Sequence, residues 1–143
     1  MRMVLGISYS GLNYQGWQSQ SSRLTVQDRL EAALASFTGA RISTLCAGRT
    51  DAGVHALMQV VHFESPVERS NHAWVRGTNS KLPSDIAVEW ALPAPPEFHC
   101  RASAQSRRYA YVLRQSEVRP SLEAGRVGWS FRQLDGAAMR QAA

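Results

Sequence analysis

Lysine is nearly absent from this chain. Lys81 is the single lysine among sixteen basic residues, and the rest are arginines. A guanidinium group binds phosphate through paired hydrogen bonds and stacks on bases, which an ammonium group does less well. The formal net charge is +5 at pH 7, and six arginines against two glutamates lie between positions 101 and 126. This imbalance indicates a polyanionic partner, although genomic codon usage would produce the same excess of arginine.

Cysteines and long apolar runs are also scarce. Cys46 and Cys100 fit no CxxC or Cys/His spacing, which argues against a zinc site and against a disulfide framework. No Walker A or dinucleotide-binding glycine pattern is present, so we expect no metal and no cofactor. The apolar run at 1–9 is too short and interrupted for a signal peptide, and no later run approaches the length of a transmembrane helix. These features predict a cytoplasmic protein without a membrane partner.

The pattern of apolar residues predicts strands and helices within one domain over 1–143. Val26, Leu30 and Leu34 repeat at helical spacing between Thr25, a capping residue, and Gly39, which can end the helix. The predicted elements are strands over 1–9, 41–46, 58–64, 86–91 and 105–114, and helices over 25–39, 70–80 and from about 135 to 143. The architecture is α+β, with helices on one face of a largely antiparallel mixed sheet. Because the last helix has only begun at residue 143, we expect a piece of a longer protein.

The segment with the most chemistry is a loop between two predicted strands, residues 48–56, which we call the Asp51 loop. Gly48 and Gly53 allow sharp bends or a close approach of the backbone to a ligand. Arg49 can hold the Asp51 carboxylate by a charge-assisted hydrogen bond and leave it ready to act as a base or nucleophile. An aspartate in a glycine-containing loop is, however, also a common turn former.

The sequence of this loop and of three further segments resembles one enzyme family. Residues 46–55 read Cys-Ala-Gly-Arg-Thr-Asp-Ala-Gly-Val-His, which resembles the signature of the TruA family of tRNA pseudouridine synthases. Tyr-Gln-Gly-Trp-Gln at 14–18 and Asn-Ser-Lys-Leu-Pro-Ser-Asp-Ile at 79–86 resemble two more segments of that family. Phe-His-Cys-Arg at 98–101, with Arg-Arg-Tyr-Ala-Tyr at 107–111, resembles its basic and aromatic region. The four segments follow one another in the same order as in the family.

The resemblance implies a fold, an activity and a partner. The fold would be the N-terminal, catalytic-loop part of a pseudouridine synthase. The activity would be the isomerisation of uridine to pseudouridine in the anticodon stem-loop of tRNA, at positions 38–40, without a metal or other cofactor. Family members continue for about as long again, and that second half closes the active-site cleft. The family also implies a homodimer that binds tRNA.

The resemblance also implies roles for single residues. Asp51 would be the catalytic carboxylate, which could attack C1′ of the ribose, add to C6 of the base or remove the C2′ proton. Arg49 would pair with Asp51 in the empty site and help to extrude the nucleotide, and Tyr109 would be the active-site tyrosine. Further tentative RNA-binding residues are Arg101, Arg107, Arg108 and His55. On a strand over 105–114, Arg107 and Arg108 would point to opposite faces.

Two rival interpretations stay open. A sheet that carries aromatic and arginine side chains is a common way to hold RNA, so the chain could be a non-catalytic RNA-binding module. A metal-independent hydrolase could instead use Asp51 and His55 as acid and base. That mechanism requires the two side chains within hydrogen-bond reach of each other or of one shared water.

Overall fold

A four-stranded antiparallel sheet forms the centre of the first of two compact units in the computed structural model, which describes residues 1–142. The first unit spans Met1–Arg107. Its elements are β1 (Arg2–Tyr9), α1 (Val26–Thr38), β2 (Leu45–Cys46), β3 (Ala56–Glu64), α2 (Asn71–Asn79) and β4 (Ile86–Ala94). The strand order is β2-β3-β1-β4. Every neighbouring pair is antiparallel, so the predicted α+β class with a largely antiparallel sheet is confirmed.

Both helices of the first unit begin at a residue whose side chain accepts a hydrogen bond from a free backbone amide, and α1 ends at a glycine. The Thr25 hydroxyl accepts a hydrogen bond from the Asp28 amide at the start of α1, and Ser70 does the same for Ala73 in α2. Gly39 ends α1 in the left-handed conformation, with φ of 74°. The predicted helix boundaries are therefore confirmed to within a residue or two.

The two helices pack on one face of the sheet. Side chains at odd positions of β1 join residues of both helices in a single buried cluster. Trp74 of α2 is fully buried there, with its ring centroid 5.3 Å from that of Phe37 in α1 and 5.4 Å from that of Phe63 in β3. Such edge-to-face aromatic contacts add to the burial energy of the rings. The helices and the sheet thus form a rigid base for the loops at the strand ends.

Three predicted strands differ from those in the structure. The strand predicted over 105–114 is wrong for most of its length: only Leu113–Gln115 (β5) pairs with a neighbour, because alternation alone makes no strand without a partner. The expectation that Arg107 and Arg108 occupy opposite faces of a strand is therefore wrong as well. The strand expected over 41–46 contracts to β2. Conversely, β4 continues through Pro93, which an edge strand tolerates because its outer side donates no ladder bond.

The second unit begins at Arg108 and contains β5, β6 (Gly128–Ser130) and α3 (Gly136–Ala142). The strands β5 and β6 are parallel, and Arg114 forms an ion pair of 2.9 Å with Glu123. No side chain within 108–142 is buried. Across the described residues, no helix is both long and apolar enough to cross a membrane.

The contact between α1 and α2 predicts an unusual response to a helix-favouring substitution. Alanine in place of glycine ordinarily stabilises a helix by about 1 kcal/mol. A Cβ on Gly77 would lie 2.0 Å from the Phe37 ring, so we expect Gly77→Ala to lower the free energy of unfolding by about 1–3 kcal/mol through overpacking. Urea denaturation measures this.

Gly136→Ala is the matched control, because nothing lies within 4 Å of an added Cβ at that helical position. We expect it to leave the free energy of unfolding unchanged or to raise it. A rise for Gly77→Ala as large as the helix propensity gain would contradict the close packing of α1 on α2.

Candidate active site

The Asp51 loop connects β2 to β3 and turns sharply at its tip. The Val54 amide donates to the Asp51 carbonyl over 3.2 Å, which closes a turn over residues 51–54. Gly53 has φ of 80°, a conformation that side chains with a Cβ rarely adopt. The turn leaves Asp51 exposed at the tip of the loop.

The side chain of Gln59 holds the beginning of the loop. Gln59 lies in β3 and is buried. Its amide nitrogen donates to the Gly48 carbonyl, and its amide oxygen accepts from the Gly48 amide at 3.3 Å. Next to this pair, the Ala47 amide donates to the Val60 carbonyl over 2.8 Å. Gln59 thus provides the backbone of Gly48 with the two hydrogen bonds that a neighbouring strand would otherwise supply.

Thr50, the residue before Asp51, is held from two sides. Its hydroxyl lies 2.8 Å from the hydroxyl of Tyr9 in β1, and its carbonyl accepts from the Trp17 amide over 2.9 Å. Gly16 has φ of 88°, and a Cβ there would lie 2.7 Å from the Thr50 carbonyl oxygen. The backbone around Thr50 therefore lies directly against the early loop, which we define as residues 10–18.

The end of the Asp51 loop also contacts the early loop. The Gly53 amide donates to the Tyr14 carbonyl over 3.4 Å, and the Gly11 amide donates to Nδ1 of His55 over 3.2 Å. A Cβ on Gly11 would lie 2.1 Å from the carbonyl oxygen of Val54. His55 is half-buried, and one of its ring nitrogens is already used to join the two loops.

The early loop is itself fixed by Asp85, which precedes β4. The Tyr14 hydroxyl donates to the Asp85 carboxylate over 2.6 Å, and Asn13 donates to its other oxygen over 3.3 Å. The Ser10 amide donates to the Asp85 carbonyl over 2.9 Å. Burial, together with the hydrogen bond to Asp85, raises the pKa of the Tyr14 phenol well above its usual value. Tyr14 is therefore a neutral hydrogen-bond donor.

Asp51 and Arg49 do not form the ion pair that the sequence predicts. Among residues 1–142, the Asp51 carboxylate makes no hydrogen bond or ion pair with another side chain. Arg49 is exposed, and its charge acts instead on the Cys46 thiol, where it opposes the rise in pKa that burial causes. An exposed pair gains little free energy because water screens both charges. The carboxylate is consequently free to meet a ligand.

Residues 98–107, the basic segment that ends the first unit, form hydrogen bonds next to the start of the Asp51 loop. The Arg107 guanidinium donates to the Ala47 carbonyl from Nε at 3.0 Å and from Nη2 at 2.7 Å. The Cys100 amide donates to Nδ1 of His62 over 3.4 Å, and the Cys100 thiol donates to the Leu45 carbonyl over 3.2 Å. Arg107 is therefore a structural support for this loop.

The remaining predicted site residues lie in different parts of the chain. Arg101 is exposed in the first unit, and its charge opposes the rise in pKa that burial causes at the Cys46 thiol. Arg108 and Tyr109 belong to the second unit, where Tyr109 is 72% exposed. Arg49, Asp51 and His55 all lie in the Asp51 loop of the first unit. Among the described residues, no cluster of three His, Cys, Asp or Glu side chains has the arrangement of a metal site.

Sequence reasoning missed the residues that hold the loop. The role of the Tyr9 hydroxyl could not be recognised, because Tyr9 continues the apolar face of β1 and the pattern indicates only a core residue. Gln59 and Asp85 left a weak signal, since Gln59 is a polar residue within an apolar strand and Asp85 lies in the matched segment at 79–86. That segment also contains Asn79, whose side-chain amide bonds both the carbonyl and the amide of Val88.

Removal of the Gln59 amide should loosen the Asp51 loop. Gln59→Met keeps the length of the side chain but leaves two backbone groups of Gly48 without partners, each worth about 1–3 kcal/mol when buried. We expect a lower free energy of unfolding in urea and faster hydrogen exchange of the Gly48 amide. Gln105→Met, at an exposed glutamine, is the control and should change neither. Unchanged exchange at Gly48 in Gln59→Met would contradict the assigned role.

His62 should make the fold sensitive to mild acid. Burial lowers the pKa of the His62 imidazole, and the nearby His99 and Arg2 lower it further. The folded state favours the neutral ring, whose Nδ1 accepts from Cys100. The unfolded state takes up the proton near the ordinary histidine pKa of about 6.5, so stability is full above that pH and falls below it.

Thermal unfolding between pH 5.5 and 7.5 tests this dependence. We expect His62→Gln to reduce the loss of stability on acidification relative to the unsubstituted chain. His72→Gln, at an exposed histidine of α2, should leave the loss unchanged. An equal acid sensitivity in all three proteins would show that His62 does not cause it.

The chain matches known proteins over its whole length. A family model described as tRNA pseudouridine synthase matches residues 7–101. Proteins named tRNA pseudouridine synthase A match all 143 residues, with 67% identity in Albidiferax ferrireducens, 69% in Variovorax paradoxus and 68% in Paracidovorax citrulli. The chain covers 55%, 53% and 51% of these relatives, about half of each. These matches show that the chain belongs to the tRNA pseudouridine synthase family.

Proposed function

We propose that this chain is the N-terminal, catalytic-loop domain, residues 1–143, of an enzyme that isomerises uridine to pseudouridine in tRNA. The observation that carries the proposal is the Asp51 loop: Asp51 is exposed and unpaired among the described side chains, while the backbone on both sides of it is held by Gln59 and the early loop, and the Thr50 side chain by Tyr9. A fixed backbone with a free carboxylate suits a residue that must meet a substrate in one geometry.

The target is the anticodon stem-loop, at positions 38–40, as the family resemblance implies. The reaction breaks the bond between N1 of uracil and C1′ of the ribose and forms a bond between C5 and C1′. C5 loses a proton and N1 gains one, so the reaction is redox-neutral. Asp51 is the catalytic carboxylate, as nucleophile at C1′ or C6 or as base at C2′.

The other site residues serve to extrude and bind the nucleotide. Removal of a base from its stack costs a few kcal/mol, which contacts in the site must offset. Arg49 is exposed two residues before Asp51 and would occupy or face the vacated position. Tyr109 would stack on the flipped base, which is worth about 1–3 kcal/mol.

The basic residues divide by their contacts. Arg101 and Arg108 are exposed and would bind phosphates, whereas Arg107 already donates to the Ala47 carbonyl and would act mainly by supporting the loop. His55 would likewise act through its bond to Gly11. A cytoplasmic location and a homodimer that contacts tRNA stay predictions from the family resemblance.

Tritium release from tRNA labelled with 5-³H-uridine tests the proposal, because C5 loses its hydrogen in the reaction. Three proteins are compared: the 143-residue chain, the same chain extended by the C-terminal half that its relatives possess, and the extended chain with Asp51→Asn. We expect release by the extended chain and a loss of about 10³-fold or more with Asp51→Asn, since the amide cannot act as a base or nucleophile.

Glu97→Gln is the matched control, because Glu97 is an exposed carboxylate outside the Asp51 loop, and it should retain full activity. Release by the 143-residue chain alone would show that this domain suffices for catalysis. If the extended chain binds tRNA yet releases no tritium, the enzyme proposal fails and a non-catalytic RNA-binding module becomes the better account.

A further inference from the structure

A second feature of the first unit lies outside the Asp51 loop. An open cleft of about 590 Å³ runs between α1 and residues 81–83. Its polar lining comes from three parts of the chain: Asn13 and Tyr14 of the early loop, Arg29 and Ser36 of α1, and Lys81. The single lysine of the sequence and an arginine from a distant element therefore line the same cleft.

Both cations in this cleft lack an acidic partner. Arg29 and Lys81 are exposed, and neither takes part in an ion pair or side-chain hydrogen bond among residues 1–142. Elsewhere in this unit, Arg2 pairs with Glu64 at 2.6 Å and Arg23 with Asp28 at 3.3 Å. Positive charges that line one concave surface raise the local concentration of anions there.

The carboxylates of α1 and of Asp85 bond to other groups and form no ion pair with Arg29 or Lys81 among residues 1–142. On α1, Asp28 accepts from Ser19, Thr25 and Arg23, and Glu31 accepts from the amide and hydroxyl of Thr44. Asp85, which does not line the cleft, accepts from the lining residues Tyr14 and Asn13. The lining of the cleft itself contains two basic side chains and no acidic one.

We infer that this cleft binds a phosphodiester of the RNA backbone through Arg29 and Lys81, and the inference rests on the function proposed above. Arg29 offers a planar fork of donors and Lys81 a mobile point charge, a combination that suits the oxygens of one or two neighbouring phosphates. The cleft is open to solvent along the surface, as a continuous strand requires. Its residues Asn13 and Tyr14 also belong to the early loop, so RNA bound here is held on the same unit as Asp51.

Salt-dependent binding tests this inference. In the extended chain, the double variant Arg29→Gln with Lys81→Gln removes both positive charges and changes no residue of the Asp51 loop. We expect the slope of log affinity for tRNA against log salt concentration to become shallower by about 0.7 for each lost phosphate contact. If the double variant and the unsubstituted protein bind equally at 1 M salt, the double variant should bind about 10- to 30-fold more weakly at 0.1 M salt. KM should rise accordingly, with kcat unchanged at saturating tRNA.

Two control proteins separate the cleft from overall charge and folding. Arg69→Gln removes an exposed arginine that lies outside the cleft, and it should change the slope by much less. Arg29→Lys with Lys81→Arg keeps both charges and should retain the slope of the unsubstituted protein. Circular dichroism of each variant verifies that it is folded.

The outcomes distinguish this inference from the proposed function. If the double glutamine variant has an unchanged slope and KM and forms pseudouridine normally, the phosphate site in the cleft is rejected and the proposed enzyme function is retained. If the double variant shows the shallower slope while the unsubstituted extended chain binds tRNA but forms no pseudouridine, the phosphate site is supported and the enzyme proposal is overturned. If 10 mM inorganic phosphate protects the chain against thermal unfolding in a manner that needs Arg29 and Lys81, while tRNA affinity is the same in all variants, the site takes small anions and the RNA assignment is wrong.

Discussion

The backbone of the Asp51 loop must find hydrogen-bond partners without a strand beside it, and the first unit is arranged to satisfy this requirement. A backbone group left unpaired in a partly buried position costs free energy comparable to a lost hydrogen bond. Gln59 supplies partners for Gly48, and the early loop supplies them for Thr50 and Gly53. Asp85 in turn holds the early loop through Tyr14. Three segments that are distant in sequence, the early loop, the Asp51 loop with β3, and Asp85, are therefore joined by the hydrogen bonds that this loop requires.

This arrangement separates rigidity from reactivity. The groups that hold the loop are backbone atoms, the side chains of Gln59, Tyr9 and His55, and the Arg107 guanidinium at the Ala47 carbonyl, whereas the carboxylate at its tip makes no bond to another described side chain. The Asp51 charge therefore takes no part in holding the loop. A preorganised backbone also removes part of the entropic cost of placing a reacting group against a substrate.

The sequence predicted the helices and the Asp51 loop well and the long-range contacts poorly. Thr25, Gly39 and Ser70 are local signals, and a helix needs only local hydrogen bonds, so α1 and α2 could be predicted to within a residue or two. A strand needs a partner, which alternation at 105–114 does not reveal. The roles of Gln59 and Tyr9 could not be predicted, because they depend on which residues the register of β1, β3 and the loops brings together.

The glycines at the contact between the two loops limit how such a protein can change. Gly11 and Gly16 bring backbone against backbone, so most of the contact does not depend on the side chains of either loop. A position such as Ala52, exposed at the turn, can accept many side chains. An insertion or deletion in either loop, by contrast, would shift every backbone donor away from its acceptor. The two loops must therefore keep matched lengths, and a variant of one loop with a different length requires a compensating change in the other.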